Sequence, residues 1–202
     1  MHVSENGEGS TEARGHAGLL AEARGAHMVP SFHADLVSGV ATYWWEFLKA
    51  VPQLDVAYVP IGLGSGACAA IAAKLALGHK ARIVGVVSRH ATTYADSLAA
   101  GRVVEAPVST QIADGMAVRR ADAAALAAMT GRLDHVVQVS DDEVAGAMRA
   151  LYADTHNAAE GAGAAALAAA LQGRSNLRGQ CVGIALTGAN VDASVFAEVL
   201  GR

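Results

Sequence analysis

Apolar positions along this chain follow two different periods. Short, nearly continuous apolar runs at 56–61, 83–87 and 181–186 lack the polar alternation of a one-sided sheet and read as strands buried on both faces. A fourth run, 135–139, reads as a further strand. Between these runs, helical spacing and helical punctuation predict helices over 10–24, 39–49, 67–77, 93–100, 121–129, 141–154, 161–171 and 193–200. The alternation predicts an α/β fold, a mostly parallel sheet covered by helices on both faces.

Local chemistry marks several boundaries. Ser10 and Thr11 are candidate N-caps, and Gly25 stops the helix they open. Val51-Pro52 closes a helix whose apolar face carries Tyr43, Trp44, Phe47 and Leu48. Ser140-Asp141-Asp142-Glu143 has the form of a capping box, with acidic residues suited to a positive helix end. Asp192 is placed to cap the closing helix. The alanine-rich segments read as helices lying close on the sheet, and no repeat recurs at a fixed period.

Composition narrows the class of protein. At 202 residues and 52% hydrophobic content the chain is able to bury one sizeable core. A net charge of −4, no basic run and 4% aromatic residues argue against a nucleic-acid partner. No stretch approaches the ~18 apolar residues that would span a bilayer, and the first residues lack the order of a secretory leader, so a cytoplasmic protein is expected. Cys68 and Cys181 fall in segments that read as buried helix and buried strand. Cys68 lies near a helix N-terminus, which lowers a thiol pKa, but a small core residue is the plainer reading. The eight histidines show no metal-ligand spacing.

The chemistry concentrates at 55–66, D-V-A-Y-V-P-I-G-L-G-S-G, where a strand runs into a glycine-rich loop and a helix. Backbone N–H groups at Gly62, Gly64 and Gly66 are able to approach an oxyanion, and the helix end adds positive potential. A phosphorylated cofactor is the expected guest. Residues 62–67 also fit a loose G-x-G-x-x-G/A fingerprint, with Ser88-Arg89 ending the next strand where an NADP enzyme places a phosphate ligand. A ligand-free turn is the third possibility. No Tyr-x-x-x-Lys pair follows to complete a nicotinamide site.

Seven segments in order carry a resemblance: V-P-S-F-H (29–33), G-V-A-T-Y-W-W-E (39–46), V-P-I-G-L-G-S-G (59–66), T-Q-I-A-D-G-M-A-V-R (110–119), V-S-D-D-E (139–143), E-G-A-G-A-A-A-L-A (160–168) and T-G-A-N-V-D (187–192). Together they resemble the later part of fold-type II pyridoxal-phosphate enzymes (tryptophan synthase beta-like), and most nearly the threonine/serine dehydratase and serine racemase branch. The resemblance implies that Gly62, Leu63, Gly64, Ser65 and Gly66 bind the phosphate of pyridoxal 5′-phosphate. It implies that Thr187 faces the pyridine nitrogen, that Gly115 lines the ring and that Glu160 lies near it. A neutral hydroxyl beside the ring nitrogen suits β-elimination better than transamination. Glu160 also reads as a carboxylate at a helix N-terminus, and Thr187 as a turn residue completed by Gly188 and Asn190.

The sequence departs from the family in several places. Leu63, Ser65 and Gly66 vary a loop that is commonly four glycines, and Gly161 replaces a proline; both changes read as mild. Where relatives place a Glu and an Asp around a divalent cation, Val87 and Thr93 stand here, so no metal site is expected. The family's Schiff-base lysine segment, S-x-K, and its carboxylate-binding loop, S-G-N-H, have no counterpart. Lys49, Lys74 and Lys80 all read as solvated.

The resemblance therefore implies an N-terminally truncated chain, with 1–27 the remnant of a smaller domain and 28–202 an incomplete cofactor-binding domain. It leaves no room for a C-terminal regulatory domain. The implied parent activity is ammonia-lyase elimination on a small hydroxy amino acid, inactive in this chain alone. Hydroxyectoine-utilisation dehydratases and diaminopropionate-type lyases fit the same segments. A non-catalytic product, or a subunit whose partner supplies the missing segment, is the competing class, and a homodimer is the family expectation. An NADP-binding Rossmann protein stands as a further alternative.

Overall fold

The computed structural model describes residues 5–6 and 10–201, and the chain divides into two compact units at Ser31/Phe32. The first unit holds helix α1 (Ser10–Arg24), which Gly25 ends at φ 59 as its position after Arg24 predicts. The caps expected at Ser10 and Thr11 rest on side chains outside the described residues.

The second unit is built on four parallel strands, β1 (Val56–Pro60), β2 (Arg82–Ser88), β3 (Val136–Val139) and β4 (Val182–Ile184), in the order β3-β2-β1-β4. Val56 pairs with both Arg82 and Val182, and Gly85 with Val136. The helices are α2 (Ala34–Ala50), α3 (Ser65–Leu77), α4 (Thr93–Ala100), α5 (Ala123–Met129), α6 (Asp141–Thr155), α7 (Gly161–Gln172) and α8 (Ala193–Leu200). Successive strand residues serve opposite faces. Val56, Tyr58, Val84 and Val86 join the core under α6 and α7, whereas Ala57, Val59, Ile61 and Ile83 join the one under α2, α3 and α5. Both faces are thus covered, as the unbroken apolar strands imply. Among the described residues, no helix is long and apolar enough to cross a membrane.

Helix α7 explains the alanine richness. It packs across all four strands and against α6, and nine of its 12 residues are buried, more than a single apolar stripe would bury. Gly183 in β4 likewise leaves space for Phe47 of α2, whose ring would stand 2.6 Å from a Cβ there.

The capping box at 140–143 forms as expected. The Ser140 amide donates to Glu143 Oε2 at 2.7 Å, and the Glu143 amide donates to Ser140 Oγ at 3.3 Å. Partial burial pulls the Glu143 carboxyl pKa up, but the Ser140 amide, Gln172, the Ser140 hydroxyl and Arg89 outweigh it and hold the group below its ordinary value.

Several boundaries differ from expectation. Helix α2 begins at Ala34 rather than 39, because His33 caps it with Nδ1 accepting from the Asp35 amide at 3.2 Å. Helix α3 begins at Ser65 and α5 at Ala123, the latter because the Asp122 carboxylate accepts from the Ala124 and Ala125 amides. Asp192 precedes α8 but its side chain makes no capping bond. Cys181 lies just before β4 and is only half-buried. Tyr43 is 40% exposed, unlike Trp44 and Leu48, which α2 turns into the core.

Candidate functional site

Chain order against spatial order locates the site. From β1 the chain moves to β2 and then β3 on one side, and returns through α6 and α7 to β4 on the other side of β1. The crevice beyond the carboxyl ends of β1 and β4 is a topological switch point, where open α/β sheets bind ligands. A cavity of about 460 Å³ lies there.

Each residue that the resemblance assigns to the cofactor lines this cavity. One wall is the segment leaving β1, with Gly62, Leu63, Gly64, Ser65 and Gly66. Facing it are Gly115 and Met116 of a 3-10 turn, Glu160 and Ala162 where α7 begins, and Leu186 and Thr187 beyond β4. Val40 and Tyr43 of α2 add a side that sequence reasoning did not assign. Their i, i+3 spacing, which puts both on one side of α2, is the signal that was available.

Close backbone approach gives the cavity its shape. A Cβ on Gly62 would overlap the Gly115 carbonyl, and one on Gly115 would stand 2.8 Å from Ala162 Cβ. Gly64 has φ 101, a left-handed conformation that only glycine adopts easily, and it opens α3 without a side-chain cap. No acidic residue occupies the first turn of α3. Among the described residues, the amides of Gly62, Leu63 and Gly64 have no acceptor within the protein. Unpaired donors and a helix N-terminus with no acidic residue in its first turn give this wall the chemistry that suits an anion.

The opposite wall is held by Glu160. Its amide donates to the Gly188 carbonyl at 3.1 Å, and its Oε2 accepts from the Asn190 amide at 3.1 Å. The carboxylate therefore orders the turn after Thr187 instead of capping α7, which has no side-chain cap bond from Glu160. Thr187 is exposed to the cavity, and its hydroxyl has no partner among the described residues. The 3-10 turn bearing Gly115 is tied down from outside. Asp141 accepts from the Thr110 hydroxyl and the Gln111 amide, each at 2.7 Å, and Thr110 Oγ1 in turn accepts from the Ala113 amide at 3.2 Å.

Several other groups lie away from the cavity. Lys49 and Lys80 are exposed, Lys74 is half-buried near the far end of α3, and none of the three lines it. Cys68 is buried, and burial pushes its thiol up to about 11, so the lowered pKa allowed for by its place near a helix N-terminus is overridden by desolvation. Val87 is buried in the core, and the Thr93 hydroxyl donates to the Val118 carbonyl at 2.6 Å. Among the described residues, no three His, Cys, Asp or Glu side chains gather into a metal cluster. Arg89, the candidate NADP ligand, forms a 3.8 Å ion pair with Glu143.

Comparison with known proteins identifies the family. The family model for pyridoxal-phosphate dependent enzymes matches residues 1–188. An L-threonine ammonia-lyase from Geobacter sulfurreducens is 36% identical over 97% of this chain and 49% of its own length. A serine racemase from Oryza sativa subsp. indica is 34% identical over 89% of this chain and 54% of its own. The solved structure of threonine deaminase isoform 2 from Solanum lycopersicum superimposes with a TM-score of 0.88 at 25% identity, covering 95% of this chain and 57% of that one. The chain spans about half the length of the curated relatives it matches. These matches point to pyridoxal phosphate rather than NADP as the family's cofactor.

Proposed function

The chain belongs to the pyridoxal-phosphate dependent enzyme family, and from that premise we propose that it carries the cofactor-binding part of an ammonia-lyase acting on a small hydroxy amino acid. The supporting observation is the anion wall, three unpaired amides at the uncapped start of α3 inside a cavity at the switch point. The donor set fits the cofactor. Gly62–Gly66 hold its phosphate, Thr187 offers a neutral hydroxyl to the pyridine nitrogen, and Glu160 and Gly115 flank the ring.

When bound, the cofactor draws electrons from an amino acid joined to it, and a neutral partner for its ring nitrogen directs that capacity toward elimination. The residues of this chain bind and orient. The loop amides at the start of α3 would fix the phosphate end, the start of α7 at Gly161 would lie beside the ring, and Met116 and Leu186, which line the cavity, would help to keep water from it. No lysine lines the cavity, so the amine that the reaction needs comes from residues other than Lys49, Lys74 and Lys80. On this reading residues 1–27 belong to a second, smaller domain, the protein acts in the cytoplasm, and this chain alone does not turn over substrate.

The test is a titration of the purified chain with pyridoxal phosphate, followed by borohydride reduction and peptide mapping. Saturable binding that free phosphate competes away, with no stoichiometric lysine adduct, is the expected result. Absence of phosphate-competitive binding would reject the cradle, and a full adduct on one of the three lysines would reject the absent base.

A further inference from the structure

Behind the anion wall lies a buried phenol. Tyr94, in the first turn of α4, is 1% exposed. Its hydroxyl oxygen accepts from the Asp122 amide at 3.0 Å and lies 2.6 Å from the Leu63 carbonyl oxygen. An amide N–H offers no lone pair, so the phenolic proton has one acceptor, the Leu63 carbonyl. The Leu63–Gly64 peptide bond is trans, and the C=O and N–H of a trans unit point in opposite directions. With the Leu63 carbonyl directed at Tyr94, the Gly64 N–H is directed away from it, and Gly64 itself lines the cavity.

Nothing else in the loop fixes this peptide so firmly. Gly64 carries no side chain, and its φ of 101 is one of several that glycine adopts at little cost. Rotation of the Leu63–Gly64 unit would aim a carbonyl dipole at a bound anion in place of an N–H. Gly64 also rests against α5: a Cβ there would stand 2.9 Å from Ala125 Cβ and 3.4 Å from the Tyr94 hydroxyl, so α4 and α5 together back the loop. Burial pushes the Tyr94 phenol up to about 12, which keeps the donor protonated throughout the neutral range.

We propose that Tyr94 is a positioning residue for the anion loop, its hydroxyl holding the Leu63–Gly64 peptide with the N–H facing the cavity and thereby setting the affinity for a phosphate group. The proposal rests on the reading of residues 62–66 as a phosphate site. It concerns a residue that lines no part of the cavity and touches the loop through one hydrogen bond.

The experiment compares wild type with Tyr94→Phe, using inorganic phosphate, pyridoxal phosphate and phosphate-free pyridoxal as probes. The Gly64 and Gly66 amides are followed by nitrogen-15 NMR. The expected result is an affinity for both phosphate-bearing probes about tenfold weaker in the variant, the loss of one hydrogen bond's worth of orientation. The Gly64 amide resonance shifts before any ligand is added, and pyridoxal binding is unchanged. Equal phosphate affinity in the two proteins, with an unmoved Gly64 resonance, would overturn the proposal and leave the cradle intact. A wild type whose loop amides ignore phosphate would overturn the cradle and the proposal together. Where Tyr94→Phe does not fold, 4-aminophenylalanine at position 94 keeps a donor for the Leu63 carbonyl. Phosphate affinity within about twofold of wild type then supports the arrangement, and a loss of about tenfold rejects it.

Discussion

Gly161 and Ile112 are in backbone contact, so close that a Cβ on Gly161 would overlap the Ile112 carbonyl oxygen. The glycine in place of the family proline is therefore not the mild departure that it looks in sequence. It allows the 110–116 segment to lie against the start of α7 and brings Gly115 into the cavity wall. Two effects compete in Gly161→Pro. Proline at the first position of a helix is ordinarily favourable, but overlap with a backbone carbonyl costs about 1–3 kcal/mol as overpacking. Overlap should win, lowering the urea midpoint of both Gly161→Pro and Gly161→Ala. A midpoint raised by the proline would show that the segment yields.

Asp141 holds that same segment from its other end. Its two carboxylate oxygens accept from Thr110 and Gln111, at 2.7 Å each, which makes the first residue of α6 a support for the cavity wall. Asp141→Ala should cost about 1.5–3 kcal/mol, the range for a bond to a charged group. Because Thr110→Val removes one of the same bonds, the double variant should fall short of additivity by about 1 kcal/mol. Chemical denaturation of the four proteins measures this, and full additivity would mean that the bonds are independent.

How much of this was legible depended on whether the signal was local. The capping box at Ser140–Glu143, the loop at Gly62–Gly66 and the buried strands β1 and β2 are short-range patterns that stand where the sequence places them, whereas the run at 181–186 shortens to Val182–Ile184 at the sheet edge, with only Gly183 buried. The resemblance added Gly115, Glu160 and Thr187 to the same cavity, residues that periodicity alone does not connect. The start of α2 was missed because His33 is an uncommon cap, and Tyr43 because its aromatic ring reads as core. Tyr94 carries no sequence signal, since its partner Leu63 lies 31 positions away and a buried tyrosine looks like packing. The overlap at Gly161 is invisible for the same reason, being a property of two backbones brought together by the sheet.

The two cysteines should differ sharply in reactivity. Cys68 is 5% exposed, its Sγ–H points to the Ala125 carbonyl at 3.7 Å, and burial pushes its pKa up to about 11. Little thiolate exists there at pH 8, and little reagent reaches it. Cys181 is half-buried at the edge of the sheet. Iodoacetamide on the native protein should label Cys181 alone, and both thiols in urea, as peptide mass spectrometry will report. Equal labelling of Cys68 in the native state would contradict its place in the core.

Alkaline pH should weaken the fold in a defined order. Burial raises Cys68 to about 11 and both Tyr43 and Tyr94 to about 12, whereas the unfolded chain titrates near the ordinary values of about 8.5 for cysteine and about 10 for tyrosine. Between those limits the folded state binds more protons than the unfolded state, so stability declines as pH rises. The contribution of Cys68 is fully present below about pH 8.5 and that of the tyrosines below about pH 10, and each is lost as pH climbs toward the folded value. Urea midpoints at successive pH values from 7.5 to 11 should fall, with Cys68→Ala flattening the earlier part of the decline and Tyr94→Phe the later. The difference between each variant and wild type isolates its group from the other residues that titrate in this range. A Tyr94→Phe curve parallel to wild type above pH 10 would mean that the phenol ionises in place, at odds with a proton held between the Asp122 amide and the Leu63 carbonyl.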